Sequence, residues 1–481
     1  MNENPISKID ELIEGARDAV IRSTKRLVNI KSVEDAPLPG APFGEGARAV
    51  LDELIFMANE DGFYTKDYGV GVISIGMNGE DADLGIWTHA DVVPEGEGWS
   101  FPPYSATEYK GCIIGRGATD NKGQIAAIYE LFKIFKENGI SLSYNPAIYV
   151  GSCEETGMKD MFGVEGNPDA LGFLNVCKQP TLSLIPDADF PVGYAGKGAL
   201  NVKLKSKNPL NGFEIVSGTK EAPFRATAVF HTAHLGSDFA WAECVRLEDG
   251  RYSVSATSSP RHGAHPDPSG NMITRLSDAL LSGAPLDFID RKILEFFKLL
   301  SLDVHGSVFG LDMGDGRLSA TTVFFQKITT EDGVPELMLN IRYPSVFSFE
   351  QIIERVGAVA EEHGFFVSEA QNKYPPYLYD PECEIISLLH TAASSVTGSD
   401  KAPYTMGGGT YANCLKNAIP FGMSGNLPPD DFENGRGGAH GVDEAVSVDR
   451  LIIAMKIYAR ALLMLNGRDI SSLAPRQLKN V

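Results

Sequence analysis

The sequence predicts an α/β fold, a mixed sheet flanked by helices, with a separate α+β domain inserted into it. Strand and helix signals alternate up to residue 191. The pattern of these signals changes over 192–376, and the alternation resumes over 377–481. These three ranges are the predicted first part of the α/β domain, the insert, and the second part of the α/β domain. A chain of 481 residues has room for both domains, because a single core stops growing near ~250–300 residues.

The first range carries the strongest strand and helix signals. Apolar residues from Ile9 to Val20 recur on one face and predict an amphipathic helix. A second helix is predicted at 44–59, and a third runs from Asn121 until Gly139 stops it. The predicted strands are 71–76, 84–88, 147–150 and 181–185. Strands that alternate with helices favour a parallel or mixed sheet.

The insert and the last range have their own patterns. Leu337, Leu339 and Ile341 alternate with other residues and predict a strand at 336–342. Helices are predicted at 286–300 and 349–362 in the insert, and at 381–395 and 448–465 after it. A glycine-rich turn at 406–410 lies between the last two helices.

Charge and composition exclude some classes of function. The net charge of −21 argues against a nucleic-acid partner, because phosphate binding needs a basic surface. The six cysteines are scattered without a CxxC pair, which suits a reducing cytosol. No apolar stretch reaches the ~18 residues of a membrane span. We therefore expect a cytoplasmic protein with no membrane anchor.

Polar side chains follow three of the predicted strands directly. They are His89 with Asp91, Glu154 with Glu155, and Asp187 with Asp189. Open α/β sheets bind ligands beyond the carboxyl ends of their strands. The shared placement is the signal, because an isolated Glu-Glu is usually a solvated loop and an isolated His-x-Asp is usually a surface pair.

The spacing of these clusters adds to the prediction. The intervals are 31 residues from 89 to 120, 34 from 120 to 154, and 32–33 from 154 or 155 to 187, about one β-α unit each. His440 is added from the far end of the chain, and glycines surround Asp120, the glutamate pair and His440. Imidazole and carboxylate ligands without thiolates suit zinc, manganese or cobalt.

Several motifs resemble, in order, those of a di-zinc exopeptidase family. They are HADVVP at 89–94, GRGATDNKG at 115–123, EETG at 154–157 and GAH at 438–440. The family includes carnosinases, carboxypeptidase G, acetylornithine deacetylase and succinyl-diaminopimelate desuccinylase. Within it, PDADFP at 186–191 and NIRYP at 340–344 resemble the PepV-type bacterial dipeptidases. The resemblance runs over nearly the whole chain and is patchy only in the insert.

The resemblance implies a role for each residue of the cluster. Asp120 would bridge two divalent ions, most simply Zn²⁺ with Mn²⁺ or Co²⁺ as alternatives. His89 and Asp187 would complete one site, and Glu155 and His440 the other. Two further carboxylates would lie outside the ligand set: Asp91 would hold the imidazole of His89, and Glu154 would be the general base. The base would thus come first and the ligand second.

The resemblance also implies substrate contacts outside the metal cluster. Arg342 would clamp the terminal carboxylate of the substrate, which a guanidinium can hold with two hydrogen bonds. A family histidine that stabilises the oxyanion would be His262, with His265 as the alternative. In the turn at 406–410, Gly409 and Thr410 would contact the substrate. A phosphate cradle is the competing interpretation of this turn, but no strand followed by GxxxxGK[ST] surrounds it.

The resemblance implies a metal-dependent dipeptidase that hydrolyses the peptide bond of dipeptides with free termini. A related amidohydrolase for N-acyl amino acids is the alternative, and a non-catalytic metal-binding or scaffold protein is a third. The inserted domain would act as a lid that closes over the metals. Since the lid of PepV-type enzymes completes the site within one chain, we expect a monomer whose partner is a small peptide.

Overall fold

The structure is a computed structural model, and it describes residues 5–164, 170–219, 224–232, 235, 239, 241–258, 271–314, 316–423, 432 and 435–478. The helices are α1 (Pro5–Gly15), α2 (Arg17–Val28), α3 (Glu45–Glu60), α4 (Gly123–Glu137), α5 (Lys159–Phe162), α6 (Phe173–Val176), α7 (Met272–Gly283), α8 (Phe288–Leu302), α9 (Phe349–Glu362), α10 (Glu384–Thr397) and α11 (Val448–Leu465). The strands are β1 (Tyr64–Asp67), β2 (Val72–Gly76), β3 (Leu84–His89), β4 (Thr107–Tyr109), β5 (Cys112–Ile114), β6 (Pro146–Gly151), β7 (Leu182–Ile185), β8 (Gly193–Gly196), β9 (Gly198–Ser206), β10 (Phe213–Ser217), β11 (Arg225–Phe230), β12 (Glu243–Arg246), β13 (Tyr252–Thr257), β14 (Thr322–Glu331), β15 (Val334–Tyr343), β16 (Phe365–Tyr374), β17 (Tyr377–Leu378), β18 (Tyr404–Met406), β19 (Ala418–Pro420) and β20 (Ala445–Ser447).

The chain divides into two units. The first consists of Met1–Tyr194, Leu378–Thr405 and Thr410–Leu478, and the second of Ala195–Tyr377 with Met406–Gly409. The predicted boundaries lie at 191/192 and 376/377. In the structure, the chain leaves the first unit after Tyr194 and re-enters it at Leu378.

The first unit is built on a mixed six-stranded sheet in the order β1-β2-β6-β3-β7-β19. Strand β3 runs parallel to both β6 and β7, whereas β2 pairs with β6 antiparallel. Every residue of β3, β6 and β7 is buried, as expected for strands covered on both faces. Helices such as α4 and α11 share one apolar core with this sheet. The predicted mixed sheet flanked by helices is therefore confirmed.

The register of the three central strands brings their carboxyl ends together. His89 at the end of β3 is opposite Gly151 at the end of β6, and Ile86 of β3 is opposite Leu184 of β7. The polar residues that follow these strands therefore start from one edge of one sheet. A smaller sheet adds a further segment, since β20 pairs antiparallel with β5 in the order β20-β5-β4.

The second unit contains two four-stranded antiparallel sheets in the orders β14-β15-β9-β16 and β10-β11-β13-β12. Strand β15 alternates buried and half-buried residues, and Leu337, Leu339 and Ile341 are buried as the pattern predicts. Helices α7, α8 and α9 share a separate core with these sheets. The α+β character predicted for the insert is confirmed.

Two helix predictions need correction. The N-terminal segment forms two helices, α1 and α2, rather than one, with Ala16 between them. Gly15 is a weak helix former, and the apolar pattern continues past it without a signal of the break. The helix predicted from Asn121 becomes regular only at Gly123, since Asp120 has the extended angles φ −129° and ψ 86°. Within the described residues, no helix is long and apolar enough to span a bilayer.

Candidate metal centre

The first group of candidate ligands is centred on His89. The side chain is almost fully buried at the end of β3. Its Nε2 atom lies 3.0 Å from Oδ1 of Asp120 and 3.7 Å from Oδ2 of Asp187. Burial alone would lower the pKa of His89, but the surrounding carboxylates outweigh it and raise that pKa well above its ordinary value. These three residues form one group able to hold a cation.

The second group is centred on His440. Its Nε2 atom lies 3.0 Å from Oδ2 of Asp120 and 2.9 Å from Oε1 of Glu155. Burial raises the pKa of Glu155 to about 7, and the nearby charge of Asp120 adds to the effect. Asp120 therefore belongs to both groups, and each of its two oxygens faces one imidazole.

This donor set fits divalent cations. Each group offers one imidazole nitrogen and two carboxylate oxygens, with all ligand atoms of a group within 4.8 Å of one another. Such nitrogen and oxygen donors suit zinc, manganese or cobalt. Four carboxylates at or beside the two groups, those of Asp120, Glu154, Glu155 and Asp187, face only two imidazoles. Positive charge from cations would offset this excess.

Glu154 lies beside these groups but belongs to neither of them. It is 8% exposed. Burial raises its pKa well above the ordinary range, and the charges of Asp187 and Glu155 act in the same direction against the opposing charge of His89. The side chain is therefore a buried carboxyl group next to the candidate ligands and not one of them.

Asp91 holds the backbone of both glutamates. Its Oδ1 accepts a hydrogen bond from the amide of Glu154 at 3.1 Å, and its Oδ2 accepts one from the amide of Glu155 at 3.0 Å. Nδ1 of His89 lies 3.2 Å from the backbone carbonyl of Asp91 and 3.5 Å from its carboxylate. The carboxylate of Asp91 therefore fixes the glutamate pair, and the backbone carbonyl of Asp91 lies nearer the imidazole than its carboxylate does.

A second carboxylate holds the residues just before the pair. Oδ2 of Asp160 accepts hydrogen bonds from the amides of Ser152 at 2.9 Å and Cys153 at 3.1 Å. The hydroxyl of Tyr411 donates to the same oxygen at 2.5 Å. Four successive amides after β6, from 152 to 155, therefore each donate to a carboxylate. Neither Asp160 nor Tyr411 is predicted from the sequence, since neither belongs to a recognisable motif.

An ion pair between distant residues also borders the centre. Nη1 of Arg116 lies 2.6 Å from Oε2 of Glu444, and both side chains are almost fully buried. This pair is not predicted from the sequence either, because the residues around Arg116 are interpreted there as glycine-rich backbone. The available signal was the position of the two charges, since Arg116 lies within the motif at 115–123 and Glu444 lies four residues after the motif at 438–440.

The predicted substrate residues fall in different parts of the chain. In the second unit, Arg342 at the end of β15 donates from Nε to Oδ1 of Asn340 at 3.1 Å and from Nη1 to the hydroxyl of Tyr374. Gly409 lies against the same Tyr374 ring. Thr410 belongs to the first unit, where its buried hydroxyl accepts a hydrogen bond from the amide of Ala412 at 3.2 Å. His262 and His265 lie outside the described residues.

The model of peptidase family M20/M25/M40 matches residues 85–464. The chain belongs to this family. The resemblance to the di-zinc exopeptidases is thereby confirmed, and the protein is a hydrolase of the metallopeptidase class.

Individual relatives cover almost the full chain. "Putative dipeptidase YtjP" of Bacillus subtilis is 28% identical over 471 residues, 93% of this chain and 97% of its own. A Staphylococcus epidermidis protein of the same description is 27% identical over 489 residues, 94% of this chain and 97% of its own. Among solved structures, human carnosine dipeptidase 1 has a TM-score of 0.58 at 15% identity, covering 96% of this chain and 99% of its own. The Saccharomyces cerevisiae dipeptidase Dug1p has a TM-score of 0.57 at 13% identity, covering 96% and 98%. At these identities the solved structures support the fold of the chain.

Proposed function

We propose that this member of the family is a cytoplasmic, monomeric dipeptidase that hydrolyses the peptide bond of dipeptides with free termini. The observation that carries the proposal is the pair of ligand groups that share Asp120, with Glu154 buried beside them and outside both. The description of the bacterial relatives as dipeptidases supports the substrate class.

The candidate ligands would hold two divalent ions, Zn²⁺ by the chemistry of the donor set, with Mn²⁺ and Co²⁺ as alternatives. His89, Asp187 and Asp120 would hold one ion, and Asp120, Glu155 and His440 the other. When bound, two such ions lower the pKa of a water and polarise the carbonyl of the scissile bond.

The protein's own part in the reaction is to move a proton. Glu154 would accept the proton that the attacking water gives up as its oxygen bonds to the carbonyl carbon. The same carboxyl group would then donate that proton to the leaving amine as the carbon–nitrogen bond breaks. Asp91 would keep Glu154 in place through the amide hydrogen bond at 3.1 Å.

The substrate would be held mainly by residues of the second unit, with Thr410 added from the first. Arg342 would bind the terminal carboxylate, with its guanidinium oriented by Asn340 and Tyr374. Gly409 and Thr410 would contact the substrate backbone, and a histidine of the segment 259–270, His262 by the family offsets, would stabilise the oxyanion. The second unit would close as a lid and exclude water.

Replacement of Glu154 by glutamine tests the proposal. Glu154→Gln keeps the size of the side chain but cannot accept the proton, so turnover should fall by at least ~10²–10⁴-fold while two metal ions per chain remain. Dipeptide hydrolysis and metal content by elemental analysis are the two measurements. Glu130→Gln is the matched control, since Glu130 is also buried but is hydrogen-bonded to Ser23 at 2.5 Å.

Two results would contradict the proposal. Turnover of Glu154→Gln within ~3-fold of the unaltered protein would show that Glu154 is not the general base. Faster hydrolysis of N-acyl amino acids than of dipeptides, measured on a matched panel, would show that the protein is the related amidohydrolase and not a dipeptidase.

A further inference from the structure

The ion pair of Arg116 and Glu444 joins two distant parts of the chain within the first unit. The residues are separated by 328 positions, and their side chains are about 2% or less exposed. A buried ion pair is a poor source of stability, because the loss of hydration offsets much of the attraction between the charges. The hydrogen bonds from the pair to the backbone of other residues indicate that it also positions those residues.

The carboxylate of Glu444 holds the backbone that carries the shared candidate ligand. Oε2 faces the guanidinium, whereas Oε1 accepts hydrogen bonds from the amides of Thr119 at 3.1 Å and Asp120 at 3.0 Å. These amides lie in the irregular segment before α4, where Asp120 has extended angles. The side chain of Glu444 thus fixes the backbone of Asp120.

The guanidinium of Arg116 holds the loop of the second candidate ligand. Nη2 donates to the carbonyl of His440 at 3.2 Å and is also close to the carbonyls of Pro94 and Glu95, at 3.4 and 3.3 Å. His440 has φ +61°, in the left-handed region that residues with a side chain rarely adopt. The hydrogen bond to its carbonyl supports this conformation. The guanidinium also lies over the ring of Trp99, with its Cζ atom 5.2 Å from the ring centroid.

The other group of ligands is held in a different way. His89 ends β3, whose register is set by ladders with β6 and β7, and Asp187 follows the end of β7 directly. None of the hydrogen bonds described for Arg116 and Glu444 reaches the backbone of His89 or Asp187. Asp120 is common to both groups, so the selectivity of the pair comes from Arg116, which contacts the carbonyl of His440, a ligand of the second group alone.

We infer that Arg116 and Glu444 are positioning residues that set the affinity of the Asp120, Glu155 and His440 group for its metal ion. The ion pair holds the backbone of Asp120 at a fixed distance from the carbonyl of His440, because Glu444 bonds to the first and Arg116 to the second. The inference rests on the proposed two-metal function and adds to it a residue pair that controls one of the two sites.

Stepwise metal binding tests the inference without reference to turnover. The full chain is stripped with a chelator and titrated with Co²⁺ by calorimetry, and visible absorption bands report the geometry of each ion. Arg116→Lys keeps the positive charge but loses the forked donors, and Glu444→Gln keeps the size but loses one acceptor. In Arg116→Lys one site should bind ~10–100-fold more weakly with altered bands, and the other should stay within ~3-fold. Glu444→Gln loosens the backbone of the shared Asp120, so both sites should weaken, and the site that weakens in Arg116→Lys should weaken more. Arg460→Lys is the matched control, because Arg460 pairs with Asp10 at 2.6 Å elsewhere in the same unit.

Three results would overturn the inference. Equal weakening of both sites together with a lower melting temperature would make the pair a general stabiliser, and so would failure of both variants to fold. Unchanged binding at both sites would show that the pair does not position the ligands. If only Glu444→Gln fails to fold, Arg116→Lys decides alone. Failure of the proposed function is separable, because an active Glu154→Gln would refute the general base and leave the metal titrations interpretable.

Discussion

Gly409 offers a steric test of the substrate-binding role assigned to Arg342. A methyl group at this position would lie 2.0 Å from both Cζ and the hydroxyl oxygen of Tyr374. Ordinary carbon contacts begin near ~3.4 Å, so Gly409→Ala requires the ring to move by more than about 1 Å. The tyrosine hydroxyl accepts a hydrogen bond from Arg342, and the guanidinium lies 5.5 Å from the ring centroid. The substitution therefore displaces a group that orients Arg342.

The size of the effect follows from the interactions that are lost. A hydrogen bond to a charged group contributes ~1.5–3 kcal/mol, and a cation–π contact ~0.5–1 kcal/mol. Since the ring can partly follow the guanidinium, we take the lower end, ~1.5 kcal/mol. Every 1.4 kcal/mol is a factor of ten in binding, so KM for a dipeptide should rise about tenfold. Because Gly409 takes no part in the proton transfer of this proposal, kcat should change by less than ~3-fold.

Steady-state kinetics on a dipeptide and on its C-terminal amide measure this effect. The rise in KM should be confined to the free carboxylate, as it should be for Arg342→Ala, because the amide gives Arg342 no charge to bind. Gly408→Ala is the matched control, since a methyl group there meets no atom within 4 Å. Tyr374→Phe removes the same hydroxyl and should reproduce part of the effect without adding to it in the double variant. Equal kinetics for Gly409→Ala and Gly408→Ala would refute the reasoning.

Two other predictions concern metal content and pH. His440→Ala should lower the metal content from two ions to one per chain by elemental analysis, while His390→Ala, at a half-buried position hydrogen-bonded to a carbonyl, should keep both; two ions in His440→Ala would contradict the ligand assignment. Burial acts to raise the pKa of Asp443, but Arg436 and the amide of Ser100 outweigh it and hold that pKa below its usual range. A lowered pKa stabilises the fold above the unfolded pKa of about 4, and this contribution is lost as the pH falls through the folded pKa. Asp443→Asn should therefore lower the free energy of unfolding of the metal-free protein by ~1–3 kcal/mol at pH 7 and by less at pH 3; a constant difference across this range would contradict the assignment.

The sequence predicts the strands of the site well because two signals agree there. Buried parallel strands appear as short apolar runs, and the polar pairs at their ends mark the edge where loops meet. The structure places β6, β3 and β7 side by side, so His89, Glu155 and Asp187 leave the sheet at one edge. The periodic apolar face that ends at Gly139 likewise predicts α4 to within a few residues.

The sequence gives little information about the partners of these residues. Asp160 and Tyr411 are 251 positions apart, and their hydrogen bond depends on how two loops fold against each other. Arg116 and Glu444 meet because β5 pairs with β20, a contact between two three-residue strands that carry almost no periodic signal. The irregular start of α4 also depends on a distant residue, because Glu444 accepts hydrogen bonds from the amides of Thr119 and Asp120.

Residue type alone cannot decide which of the two glutamates is the general base and which is the metal ligand, because Glu154 and Glu155 are chemically identical. Their partners distinguish them. Glu155 lies 2.9 Å from the imidazole of His440 and belongs to a ligand group, whereas Glu154 is buried and belongs to neither group. An exchange of roles would require Glu155 to leave His440, and Asp91 opposes the necessary backbone rotation because it holds both amides. A general base must lie close to the metals without binding them, so this arrangement supports Glu154 as the base and Glu155 as the ligand.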